Sequence, residues 1–150
     1  MVTSTSTATP PTVAWLGYGG LLPFIALALA VWTGVAPHFG WGGALRTYAA
    51  VILSFVGALH WGFAMALAGL SPAQRQAAFV WSVVPSLLGW VALLVAPVAG
   101  VLLLVVGFLG HYAQDRRMAR WAPLPAWYLP LRLRLTGVAC GCLLLAGWAA

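Results

Sequence analysis

The sequence predicts an all-α integral membrane bundle of five transmembrane helices, and three observations carry that reading. Hydrophobic residues make up 63% of the chain and charged residues 5%, against roughly 25% charged in soluble domains. Five apolar stretches have about the length needed to cross a hydrocarbon core. The seven cations gather at the ends of those stretches, while nine Trp and four Tyr supply the rings that favour a bilayer interface. A water-facing surface cannot be built from so few charges, so a soluble enzyme, a nucleic-acid binder and a disordered tail are excluded together.

The first span runs from about Val13 to Val35 and is broken only by Gly and by Pro23. The second covers about Ala44 to Gly69, with Ser54 and His60 as its polar members. The third, about Ala77 to Val95, holds Ser82, Pro85 and Ser86. The fourth, about Pro97 to Tyr112, follows after so short a link that the two must form an antiparallel hairpin. The fifth runs from about Leu133 to Ala149. Between the last two, the stretch Trp121 to Leu131 carries Pro123, Pro125 and Pro130, and reads as an extended interfacial segment.

Domain organisation is simple: a flexible Ser/Thr/Pro leader at 1–12, then a single transmembrane domain at 13–150. The leader has no basic residue, so it fits neither a secretory signal nor a mitochondrial transit peptide, and the first span is expected to be retained. Six Arg fall on one side of a five-crossing topology (Arg75, Arg116, Arg117, Arg120, Arg132 and Arg134), against Arg46 on the other. Loops rich in Arg stay in the cytoplasm, so the N-terminus is expected inside and the C-terminus outside. A bacterial inner membrane is the simplest address, with a mitochondrial inner membrane as the alternative.

Polar residues inside a membrane are costly, which makes each a functional candidate. The chain has no Glu, and Asp115 is its sole carboxylate. That removes paired-carboxylate catalysis and a carboxylate proton relay; no HExxH exists for a zinc protease. His60 has two readings, a ligand or proton carrier, or an interhelical hydrogen bond to a Ser, a Tyr or a backbone group. Ser54, Gly57, Ala58 and Trp61 share one stripe, from which His60 projects about 120° away. His111 lies one turn before Asp115, and a His60–His111 haem site requires the two to sit at one depth. Cys140 and Cys142 are about 200° apart on a helix, so they read as packing residues and not as a redox or metal pair. Asp115-Arg116-Arg117 reads as a boundary ion cluster. Anionic lipid is a possible partner at Arg116, Arg117, Arg120, Arg132 and Arg134. Small-residue stripes at Ser82-Pro85-Ser86-Gly89, at Gly107 and Gly110, and at Gly137 and Gly141 predict close helix packing.

Three stretches then resemble a known family. They are Tyr48 to Gly62, containing Ser54, Gly57, His60 and Trp61; Trp81 to Trp90, containing Ser82, Pro85 and Ser86; and Leu124 to Thr136, containing Pro125, Trp127, Tyr128, Arg132 and Arg134. Together with Leu22-Pro23-Phe24 they are similar to the motifs of the DUF3429 family of transmembrane protein 69-like multi-pass membrane proteins, whose function is undefined. Ala58 departs from that pattern, which has Gly there. The resemblance implies a five-helix inner-membrane protein and supplies no substrate, cofactor or catalytic residue.

The expected function is non-enzymatic: an interaction or assembly partner of a larger membrane complex, or a self-associating protein in the lipid bilayer, with no cofactor, no metal and no nucleic acid. The alternative is a binding module for a lipid, quinone or haem centred on His60, with Trp61, Ser82, His111 and Arg132 as candidate contacts. A third, an oligomeric transporter with His60 as proton carrier, predicts a flux that depends on His60. No Ser follows a nucleophile pattern, so a serine hydrolase is the weakest reading.

Overall fold

The computed structural model describes residues 8–149, so most of the leader and the last residue lie outside the described part. The described chain is all helical: α1 (Pro11–Gly19), α2 (Leu22–Thr33), a short 3₁₀ turn (Pro37–Phe39), α3 (Trp41–Ala66), α4 (Pro72–Leu94), α5 (Pro97–Trp121) and α6 (Tyr128–Ala149). With α1 and α2 taken as one broken span, five helical segments are long and apolar enough to cross a membrane. Neighbours in the chain are neighbours in space. Helices α2 to α6 close a ring in chain order, with α6 returning to α2 and with α3 touching α5 across it.

Three boundaries differ from the hydropathy reading. The first span is not continuous. Pro23 has no N–H to bond back into α1, so the helix stops at Gly19 and restarts at Leu22 with Pro23 in its first turn. The Tyr48 hydroxyl donates to the Gly20 carbonyl at 2.9 Å, which satisfies an acceptor freed by the break. The fourth span continues about two and a half turns past Tyr112 to Trp121, because its outer face turns charged while Asp115 and Met118 stay buried on its inner face. The last helix begins at Tyr128 and not at Leu133. Pro130 falls in its first turn, where no intrahelical N–H is required, so the non-helical part of the link shrinks to 122–127.

Local signals explain the remaining ends. Ser71 and Gln74 form a capping box at the start of α4, with Pro72 at the first helical position. The Arg75 guanidinium reaches back to donate to the Ala64 and Leu67 carbonyls, closing the C-terminus of α3. The stripe on α4 forms the α3–α4 seam. Gly57 faces Pro85 so closely that a Cβ there would come within 2.9 Å of its ring, and Gly89 lies against Ala50. The hairpin between α4 and α5 is tighter still, since a Cβ at Gly100 would collide with the Ala92 carbonyl oxygen. Gly137 and Gly141 differ: a Cβ at either would meet nothing within 4 Å, so this GxxxG is not a packing face within the bundle.

Leu21, Phe24, Leu45, Leu53, Leu104, Phe108 and Leu143 form the main apolar core. Cys140 and Cys142 belong to it as free packing thiols. A second, smaller cluster gathers Ala64, Leu70, Ala78, Met118 and Ala122. Along α3 and α5, the buried His60, His111 and Asp115 fall between the residues of these two clusters.

Candidate functional site

Four helices supply this polar layer. On α5, His111 and Asp115 are four residues apart and share one face; on α6, Tyr128 and Arg132 do the same. The ring order brings those faces together and sets His60 of α3 opposite them. His60, His111 and Asp115 are fully excluded from the surface, and Arg132 retains 6% exposure.

Asp115 is the hub. Its Oδ1 accepts from the Tyr128 hydroxyl at 3.0 Å and lies 2.9 Å from His60 Nε2. Its Oδ2 accepts from Arg132 Nε at 2.9 Å. The sole carboxylate of the chain is therefore matched by a guanidinium and two further donors, which is what an ion in a low-dielectric interior requires. His111 approaches the same Oδ1 with its Nε2 at 3.7 Å, beyond hydrogen-bond range. Its other nitrogen, Nδ1, accepts from the Trp81 indole N–H of α4 at 3.1 Å. An indole N–H only donates, so that bond assigns the lone pair to Nδ1 and the ring proton to Nε2.

That assignment decides what the cluster can hold. One atom each of His60, His111 and Asp115 lie within 4.8 Å of one another, the spacing of a three-ligand metal set that sequence spacing did not suggest. Yet His111 Nε2 carries a proton and cannot ligate, and the Arg132 guanidinium on the same carboxylate opposes a second cation. The residues do not fit a metal. Haem fits no better. The two imidazoles lie 5.0 Å apart, centroid to centroid, edge to face, both turned towards one carboxylate oxygen, with no room for a macrocycle between them.

Of the five candidates read from the sequence, the fold brings together three: His60, His111 and Arg132. The other two lie elsewhere. Trp61 is 48% exposed and packs edge-on against Phe79, and Ser82 donates to the Phe79 carbonyl within the α3–α4 seam. Two expectations are corrected. Asp115 is no boundary ion paired with Arg116 or Arg117, because it points inward from α5. Arg132 leaves the group of interfacial arginines, while Arg116, Arg117, Arg120 and Arg134 remain exposed, with Arg117 over the Trp121 ring and Arg134 bonded to Tyr18. Tyr128, Trp81 and Thr136 went unread as site residues. The usable signals were the four-residue spacings His111–Asp115 and Tyr128–Arg132.

Not every buried polar atom is satisfied. His60 Nδ1, His111 Nε2, Arg132 Nη2 and Thr136 Oγ1 have no hydrogen-bond partner, although His111 faces the Val56 carbonyl.

The family described as protein of unknown function (DUF3429) matches residues 9–147. Transmembrane protein 69 of Xenopus tropicalis is 32% identical over 139 residues, which is 87% of this chain and 51% of that protein. The chain thus spans about half the length of the curated relative it matches. No solved structure matches the chain.

Proposed function

The chain belongs to the DUF3429 family, and we propose that it acts as a non-enzymatic interaction or assembly partner of a larger membrane complex. One observation carries this reading: α1, half of an apolar membrane span, has no fully buried residue. Trp15 is 80% exposed, Leu16 73% and Tyr18 42%, and the main contact of α1 is with α6. The remaining helices close a ring in which Asp115 links α3, α5 and α6, and α1 stands at its edge with Trp15, Leu16 and Tyr18 outward. Exposed Trp and Leu on a membrane half-helix suit docking against another helix.

The chemistry of the cluster agrees with a non-enzymatic role. Both oxygens of Asp115 are committed to helix-to-helix bonds, and the hydroxyl of Ser54 is bonded back to the Ala50 carbonyl. A bacterial inner membrane, with the N-terminus inside, belongs to the same proposal. It is supported by the gathering of Arg75, Arg116, Arg117, Arg120 and Arg134 at the end where α3 and α5 close and α4 and α6 open. Anionic lipid bound by the exposed members of that group is part of it too.

The test is a mild-detergent pull-down from native membranes, read by mass spectrometry, of wild type and of Trp15→Ala/Leu16→Ala. A stoichiometric partner that is lost in the variant, with the bundle still folded, is the expected result. A protein that purifies alone from every preparation would end the proposal.

A further inference from the structure

Independently of any protein partner, we propose that the break in the first span and the inner face of α6 form a binding site for the neutral carbonyl head of a single-chain lipid. A cavity of about 110 Å³ lies there, with Gly17, Gly20, Phe24, Phe108, Arg132 and Thr136 in its wall. Arg132 and Thr136 are one turn apart on α6 and retain 6% and 3% exposure. Asp115 holds Arg132 through Nε, which leaves Nη2 unpartnered, and the Thr136 hydroxyl has no partner either. Buried donors without acceptors are costly. Leu21 and Phe24, on either side of the point where α2 restarts, also line the cavity, so the break borders it. Irregular backbone at membrane depth is tolerated where it lines a cavity, and here it does.

Three features define the occupant. The donors call for an acceptor oxygen. The volume is smaller than the roughly 150 Å³ that takes a benzene ring, which favours a small head. The wall also includes Leu16 and Phe55, which are 73% and 66% exposed on the outer surface, so a tail can leave between them into the bilayer. Charge decides the rest. Asp115 already neutralises Arg132, so a carboxylate head would add an uncompensated buried charge, while an ester or a protonated acid adds none. Of the contacts expected around His60, this cavity includes Arg132 and not His60, Trp61, Ser82 or His111.

The experiment is equilibrium binding of tritiated methyl palmitate, palmitate and hexadecane to the full chain in nanodiscs, with empty discs subtracted. Methyl palmitate is expected to bind saturably, palmitate about tenfold more weakly at neutral pH with recovery as it protonates, and hexadecane not at all. Arg132 substitutions also disturb Asp115, so the variants are Thr136→Val, expected to weaken the ester about fivefold by loss of one hydrogen bond, and Gly17→Leu, expected to block it. Equal binding of hexadecane, undiminished binding to Thr136→Val and Gly17→Leu, or no saturable binding of the ester overturns the proposal.

Discussion

Asp115 and Arg132 stand 17 residues apart in the chain and meet in the bundle interior, with Arg132 Nε 2.9 Å from Asp115 Oδ2. Asp115→Asn leaves a buried guanidinium without its counter-ion and is expected to cost about 3–5 kcal/mol, as is Arg132→Met. The double variant should recover much of either loss, because no lone charge remains. Unfolding equilibria of all four proteins in one detergent check this; simple addition of the two losses would mean that the pair is not coupled.

The α4–α5 hairpin sets a second expectation. Gly100→Ala places a methyl group against the Ala92 backbone, which cannot yield as a side-chain end can, and is expected to destabilise by about 1–3 kcal/mol. Gly110→Ala, where a Cβ meets nothing within 4 Å, serves as the comparison and should be neutral or better. Midpoints of thermal unfolding in detergent separate the two.

Trp81 fixes a tautomer. Nitrogen NMR of labelled imidazoles should place the His111 proton on Nε2 in the wild type. In Trp81→Phe the Nδ1 acceptor loses its donor, with an expected cost of about 1–3 kcal/mol and a mixed or inverted tautomer. An Nδ1–H signal in the wild type would reopen the metal reading of His60, His111 and Asp115.

Orientation is checked with thiol labels. Ala126 is exposed in the link before α6, and Phe39 is exposed in the 3₁₀ turn at the opposite end. With the N-terminus inside, an impermeant reagent on intact cells should label Phe39→Cys and spare Ala126→Cys, while both react after lysis. The reverse pattern inverts the topology.

Most of the fold is legible in the sequence because a membrane leaves few options: an apolar run of about 20 residues must be a helix, and Arg must stay out. His60 and His111 stand out for the same reason, as polar groups in hydrocarbon, whereas Arg132 reads as one of the boundary arginines. Asp115 does not stand out either. Arg116 and Arg117 lower the local hydropathy, so the apolar run ends at about Tyr112, one turn short of the carboxylate. Tyr128 is obscured by the three prolines around it, though Pro130 is harmless in a first turn. The convergence itself depends on α3 meeting α5 across the ring, and no periodicity within one helix encodes which helix lies opposite.

The Asp115–Arg132 pair also has an order of arrival. Membrane helices emerge from the ribosome one after another, at about 5–20 residues per second, so the carboxylate reaches the bilayer roughly 1–3 s before the 17th residue behind it supplies the guanidinium. In that interval the inward-facing acid on α5 lacks its guanidinium, while His60 and His111 are already delivered or on the same helix. The ion pair can therefore close only once α6 is in place, which makes it a lock set by the last helix and not a support for those before it.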